Sequence, residues 1–174
     1  MILTASRTNE VVGDKRTGKA GITWQEIDFK KKEWTVPADR MKSGKAHKVP
    51  LTNAAVDVLK GMNPGAPDAL LFAGPKGDIP SNNFLSALLK RMDQPVTAHG
   101  FRSTFKDWAR EHTAYADEVS ELALAHVNSD ATRAAYARSE LLDKRRQLMS
   151  DWEQYCYHGK AQDAAKVVQI GVAR

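Results

Sequence analysis

The sequence lacks the features that mark several common classes of protein. Its single cysteine, Cys156, excludes a disulfide framework and a cysteine-based zinc site and is typical of a reducing cytoplasm. No apolar run approaches the roughly 18 residues of a membrane-spanning helix, and the first residues show no signal-peptide pattern. Five histidines occur, but no two are spaced i,i+4 beside a glutamate. We therefore expect a cytoplasmic protein with no membrane partner and no metal site.

What the chain has is the composition of one soluble domain with an uneven distribution of charge. Its 174 residues are 42% hydrophobic and 27% charged, which suffices to bury a core. The net charge of +5 comes entirely from the first 60 residues, which hold 12 basic and 7 acidic side chains. A local basic surplus of this kind is typical of proteins with a polyanionic partner, whereas a solvated basic face is the plainer interpretation.

The hydrophobic pattern predicts an α+β fold that is mainly α-helical and has a small three-stranded antiparallel sheet. A first helix is predicted from Ile2 to Val12, followed by a basic loop from Gly13 to Gly21. Strands are predicted over residues 22–29, 33–41 and 46–51, joined by short connections. Further helices are expected after Thr52, from Ser81, after Thr97, around Val119–Ala123, over Thr132–Arg138 and over Leu141–Tyr155.

Three segments before residue 103 carry side chains suited to binding phosphate, and each also has a plainer interpretation. Arg7 and Glu10 are spaced i,i+3, as in a surface ion pair on a helix. Lys42 lies in a basic turn between two predicted strands, which fits a solvated hairpin tip. His99 and Arg102 share the first turn of a predicted helix. We expect both to point outward, where a helix N-terminus attracts anions, while the aromatic residues of that helix face the core.

The fourth segment is LAHVNSDATRAAY. His126 is predicted to close a helix, and Tyr136 follows ten residues later. A tyrosine that packs in the core is the plainer interpretation of Tyr136. Three other tyrosines, Tyr115, Tyr155 and Tyr157, compete for any special role.

In their joint order, these residues resemble the catalytic domain of the tyrosine recombinases, the phage integrase family. The similarity runs from Arg7 to Tyr155. Several phrases are similar to integrases of satellite phages and bacterial genomic islands: TWQEIDF, EWTVPADRMKSGKAHKVPL, TAHGFRSTFKDWA, ALAH and DKRRQLMSDWEQYC. The resemblance implies a DNA breaking and rejoining core over residues 1–157 and a C-terminal tail over residues 158–174. It also implies that this chain is a fragment lacking the DNA-binding domains that precede the core in the family.

The resemblance implies a catalytic set and an activity. The set is Arg7, Lys42, His99, Arg102, His126 and Tyr136, with Glu10 supporting Arg7. The tyrosine would attack a DNA phosphodiester and form a 3′-phosphotyrosine, while the arginines and the second histidine stabilise charge on the phosphoryl oxygens. The first histidine would take the tyrosine's proton, and the lysine would protonate the departing 5′-oxygen. Because the covalent bond conserves energy for rejoining, no metal, nucleotide or other cofactor is expected.

The partner implied is double-stranded DNA, with recombination of a mobile element as the function and a tetramer assembled on the DNA. Phosphate contacts are expected from Lys15, Arg16, Lys19, Lys30, Lys31, Lys32 and Lys45. Lys45 and Lys48 are alternatives to Lys42. Two features depart from the family pattern: the long Gly13–Gly21 loop, and Ala125 where many relatives have glycine. A type IB topoisomerase and a non-catalytic DNA-binding remnant of a mobile element remain as alternative functions.

Overall fold

The computed structural model describes residues 1–62, 64–126 and 141–159. Within these ranges it has an α+β architecture of six α-helices and one three-stranded sheet. The helices are α1 (Thr8–Val12), α2 (Asn53–Lys60), α3 (Phe84–Arg91), α4 (Gly100–His112), α5 (Asp117–Ala123) and α6 (Leu142–His158); the strands are β1 (Ile27–Asp28), β2 (Glu33–Val36) and β3 (His47–Pro50). The predicted helix at Thr132–Arg138 and all of the predicted tail except residues 158 and 159 lie outside the described residues.

The sheet is the predicted antiparallel meander, with strand order β1-β2-β3. Trp34 stands opposite Ile27 on one side and Val49 on the other. Trp34 and Val36 are buried while Thr35 between them is exposed, the alternation of a sheet that covers a core with one face.

The strands are shorter than the sequence pattern predicts. Residues 24–26 form a 3₁₀ turn before β1, although the prediction placed a strand there. β2 ends at Val36 because Pro37, which has no N–H to donate to a ladder, follows it. A second 3₁₀ turn, Ala38–Arg40, replaces the end of the predicted strand.

The predicted first helix is broken in two, which is a correction. A 3₁₀ turn over Ile2–Thr4 ends at Ala5, whose φ of 47° is left-handed, and α1 starts only at Thr8. Arg7 is the N-cap of α1, with its backbone N–H donating to Glu10 Oε2 at 2.7 Å. This capping-box bond makes a helix start at Arg7 favourable.

The cap predicted at Thr52 is confirmed, because Thr52 Oγ1 accepts from the N–H of Ala55 at 3.3 Å. The N-cap of α4 is His99 rather than the predicted Thr97, although Thr97 Oγ1 accepts from the N–H of Gly100 at 3.0 Å. The helix predicted from Ser81 instead begins at Phe84. α6 agrees with the prediction and extends it to His158.

The core consists of two clusters that meet near the chain start. One is formed by α1, α2 and the sheet, with Trp34 and Val36 among its most buried members. The other is formed by α4, α5 and α6, where Phe105 and Trp152 pack edge to face at 5.4 Å between ring centroids. Ala5 belongs to the helical cluster, whereas Ala125, at the end of α5, packs on the sheet cluster. The segments around these two alanines therefore cross between the clusters.

Candidate active site

The Arg7 side chain is held by two partners at the junction of the two clusters. Its Nη1 pairs with Glu10 Oε1 at 2.8 Å, and its Nη2 donates to the Ala125 carbonyl at 3.3 Å. Glu10 is only 5% exposed, so the pair is not the solvated surface ion pair of the plainer interpretation. About a third of the Arg7 side chain, 32%, remains exposed and can reach a ligand.

Arg102 is buried, at 6% exposed, and the prediction that it points outward is wrong. Its Nη1 donates to the Ala5 carbonyl, and its Nη2 donates to the Leu124 carbonyl at 2.8 Å. The first residues of the chain and the end of α5 cover the face of α4 that the sequence pattern predicted to be exposed to solvent. Phe105 on the same helix is fully buried, as predicted.

The turn that follows α5 organises both arginines. Ala125 is left-handed, with φ 49°, and its N–H donates to the Leu122 carbonyl. The N–H of His126 donates to the Glu121 carbonyl at 3.0 Å, which completes a Schellman turn. This geometry leaves the carbonyls of residues 124 and 125 free to accept from the arginines and directs the next side chain, His126, to the same place. His126 Nε2 lies 3.4 Å from Arg102 Nη2.

Among the described residues, the two arginines together carry more positive charge than Glu10, the one carboxylate paired with them, offsets. The pKa of the Arg102 guanidinium is lowered to about 10, chiefly by burial and in part by the nearby charge of Arg7, while Glu10 opposes the shift. Two guanidiniums thus share one buried carboxylate. A bound anion would relieve the repulsion between them.

A second acidic group, Glu121, supports His126 and was missed by the sequence analysis. Its Oε2 lies 2.8 Å from His126 Nδ1, and its Oε1 lies 2.6 Å from Lys106 Nζ. Lys106 also pairs with Asp117 at 2.7 Å. The Glu121–His126 spacing of five residues spans a helix end, so a search for helical i,i+3 or i,i+4 pairs does not find it.

His47 on β3 is a second group that the sequence analysis missed. Its Nε2 is buried and has no hydrogen-bond partner among the described residues. The pKa of His47 is lowered to about 4, chiefly by burial and in part by the charges of Arg145, Arg7 and Arg102, while a hydrogen bond to the Ala123 backbone opposes the shift. The imidazole of His47 is therefore neutral at neutral pH, close to the charged arginines.

The remaining predicted residues are less closely tied to the arginines. His99 is exposed beside α4, where its carbonyl accepts from the N–H of Arg102. Lys42, Lys45 and Lys48 are all exposed, so the burial of these lysines does not choose between them. Tyr136 lies outside the described residues.

The predicted DNA-contacting residues lie on the surface, and several have acidic or carbonyl partners. The Gly13–Gly21 loop is a small hairpin in which the backbones of Asp14 and Lys19 pair in antiparallel fashion. Asn82 Nδ2 donates to Asp14 Oδ1 at 2.6 Å. Lys15 pairs with Asp78 at 2.7 Å. Arg16 and Lys31 form ion pairs with Asp14 and Asp28. Lys19 donates to the Asp39 carbonyl, and Lys32 donates to the side-chain oxygen of Asn53. Lys30 and Lys45 are exposed.

Among the residues that the structure describes, none of the helices combines the length and the hydrophobicity of a membrane-spanning segment. The same residues contain no cluster of three or more side chains able to hold a metal ion.

Comparison with known proteins gives consistent matches over most of the chain. The model of the Phage integrase family matches residues 4–142. The prophage integrase IntA of Escherichia coli (strain K12) is 36% identical over 154 residues, covering 86% of this chain and 36% of IntA. The integrase of Shigella phage Sf6 is 30% identical over 155 residues, covering 86% of this chain and 38% of its own length.

The integrase of Enterobacteria phage P4 is 32% identical over 152 residues, covering 76% of this chain and 35% of the phage protein. The chain therefore spans little more than a third of the length of these relatives. No solved structure matches it.

Proposed function

The chain belongs to the phage integrase family, the tyrosine recombinases, and from this we propose that it catalyses site-specific recombination of DNA for a mobile element. Strand cleavage and rejoining would proceed through a 3′-phosphotyrosine on Tyr136. The observation that carries the proposal is the convergence of Arg7, Arg102 and His126 on one turn. The relatives described above are named integrases, which favours recombination over topoisomerase activity.

The arginine pair suits a phosphodiester in the absence of a compensating cation. Each guanidinium offers planar donors and keeps its charge at neutral pH. Their carbonyl and carboxylate partners hold both groups before DNA arrives, so little reorganisation is needed when negative charge develops on the phosphoryl oxygens. Arg7, which is partly exposed, would contact the phosphate first, and the buried Arg102 would supply the fixed inner donor.

The remaining steps are proton transfers. His99 would accept the proton of the Tyr136 hydroxyl as its oxygen attacks phosphorus. The bond from phosphorus to the 5′-oxygen then breaks, and Lys42 would protonate that oxygen. His126 would donate a hydrogen bond to a nonbridging oxygen. In rejoining, a 5′-hydroxyl attacks the phosphotyrosine and the same protons return.

The partner in this proposal is double-stranded DNA in a bacterial cytoplasm. The exposed basic residues of the first third of the chain would contact phosphates without choosing the sequence. Each contact would steepen the salt dependence of binding by roughly 0.9 in a log–log plot. Assembly into a tetramer on DNA belongs to the same proposal.

The test is a nicked suicide substrate that traps the covalent intermediate. We expect the wild-type chain to form a protein–DNA adduct that peptide mapping assigns to Tyr136. Tyr136→Phe should abolish the adduct and leave DNA binding unchanged, because only the attacking oxygen is lost.

Tyr157→Phe is the matched control, since Tyr157 is the most exposed of the described tyrosines, at 61%. This variant should form adduct at the wild-type rate. An adduct on Tyr115, Tyr155 or Tyr157, or one that persists in Tyr136→Phe, contradicts the assignment.

A further inference from the structure

The imidazole of His126 is fixed between two charged groups of opposite sign. Its Nδ1 lies 2.8 Å from a carboxylate oxygen of Glu121, and its Nε2 lies 3.4 Å from Arg102 Nη2. The charged groups around this pair are Lys106 on α4, Asp117 on α5, and Arg7, which binds the carbonyl of the adjacent Ala125. The ring can satisfy both neighbours in only one neutral protonation pattern.

Glu121 is held in its charged form. Burial tends to raise the pKa of Glu121, but hydrogen bonds from Lys106 and then His126 outweigh it, and the pKa is lowered. An ionised carboxylate only accepts hydrogen bonds. The nitrogen that faces it, Nδ1, must therefore carry a proton.

The opposite nitrogen faces a donor. Arg102 has no acceptor atom, so a neutral His126 meets it with the unprotonated Nε2. To donate from Nε2 to a phosphate oxygen, the ring must then carry protons on both nitrogens. The Glu121 carboxylate stabilises that imidazolium, as carboxylates do for histidines in other active sites.

We propose that Glu121, with Lys106 behind it, is a positioning residue that holds His126 in the Nδ1-protonated form, so that His126 acts on the phosphate as an imidazolium. The catalytic part of this proposal rests on the proposed function. The part that concerns the tautomer of His126 in the DNA-free protein does not.

The tautomer can be measured without DNA by long-range ¹H–¹⁵N NMR of the histidine side chains, with His126→Gln identifying the signal. Above pH 8 we expect wild-type His126 to be protonated on Nδ1. Glu121→Ala should raise the fraction of the Nε2-protonated form, which neutral histidine prefers in water, although Arg102 still opposes a proton on that nitrogen. A wild-type spectrum with the proton on Nε2 overturns the proposal, whether or not any variant folds.

The catalytic consequence is measured by single-turnover cleavage of the suicide substrate across pH. Glu121→Ala should reduce the rate about tenfold at neutral pH, the lower end of the loss seen when the hydrogen-bond partner of a metal-bound histidine is removed. The alkaline limb of its pH–rate profile should move to lower pH, because the imidazolium has lost its stabilising charge. Glu121→Asp, which restores the carboxylate, should recover part of both effects.

Glu118→Ala is the matched control, since Glu118 is an exposed acid on the same helix. It should leave the tautomer, the rate and the pH profile unchanged. A Glu121→Ala profile with the wild-type shape contradicts the proposal, because a merely structural role lowers the rate equally at every pH. Absence of an adduct in the wild type would contradict the proposed function and leave the tautomer result standing.

Discussion

Arg102 shows why the site requires arginine at this position. Its fork of donors reaches carbonyls on two different segments, those of Ala5 and Leu124, while the charge faces Arg7 and His126. A lysine would offer one strongly hydrated ammonium, which could not span both carbonyls in a plane and would be costlier to bury. The sequence pattern placed Arg102 in the first turn of this helix but predicted that it points outward. Its burial depends on segments that lie about 20 and about 100 residues away.

His47 couples the stability of the fold to pH. The folded pKa is about 4 against an ordinary value of 6.5. In the window between these values the unfolded chain binds a proton that the native chain does not. The stabilisation is therefore complete above pH 6.5 and is lost as the pH falls toward 4.

We expect the wild type to lose about 1–2 kcal/mol of unfolding free energy between pH 7 and pH 4.5 relative to His47→Gln, after allowance for partial solvent screening. Urea unfolding at the two pH values measures this difference. His158→Gln, at the exposed end of α6, should follow the wild type. If His47→Gln shows the wild-type acid dependence, the ring is not the group responsible.

Among elements, the turn after α5 does the most to assemble the site. It presents the carbonyls of Leu124 and Ala125 to the two arginines and then the side chain of His126. Ala125 stands where many members of the family that this sequence resembles have glycine. The structure gives the cost of that departure, because Ala125 has a left-handed φ of 49° that glycine adopts without strain.

Ala125→Gly should therefore stabilise the fold by about 0.5–1 kcal/mol, measured by urea or thermal unfolding. The matched control is Ala87→Gly, an exposed position inside α3, where the same substitution should destabilise by about 0.5–1 kcal/mol. Opposite signs for one chemical change would tie the effect to backbone conformation. Destabilisation by Ala125→Gly would count against the left-handed turn.

The strands show where local pattern stops being informative. β-Branched and aromatic content correctly predicted three antiparallel strands in order. It did not predict that residues 24–26 turn before β1, where the Trp24 and Gln25 N–H groups bond the distant Ala69 and Pro67 carbonyls. Strand propensity cannot register such partners, because it reports only on neighbouring residues.

In the molecule as a whole, the site lies where two separately packed cores meet. Ala5 belongs to the helical core and Ala125 packs on the sheet core, and each offers its carbonyl to an arginine. The positions of the two arginines therefore depend on the packing of both cores. A substitution that changes the packing of either core should shift the arginines, even where the substituted residue itself does not contact DNA.

The C-terminal residues provide the test of assembly. Because Gly159 caps α6 with its N–H on the Tyr155 carbonyl, deletion of residues 160–174 leaves that cap in place. If these residues join protomers in a tetramer, the deletion should reduce the yield of recombinant product severalfold and change the melting temperature little.

Single-strand cleavage of the suicide substrate is the internal control, since it requires one protomer and should persist in the truncated chain. An unchanged recombination yield would reject a role for these residues in assembly. A loss of cleavage equal to the loss of recombination would do so as well.

Local sequence was sufficient for the α+β class of fold, the antiparallel order of the three strands and the Thr52 helix cap, which follow from side-chain type and short-range spacing. The assignment of Arg7, Arg102 and His126 to a catalytic set came from the resemblance to the phage integrase family and stays a prediction. Burial of Arg102, the neutral His47 and the Glu121–His126 contact depended on the folded molecule. Each arises where a helix end or a strand meets a distant segment, and a desolvated charge takes its energy from partners that only three-dimensional packing brings within hydrogen-bonding distance.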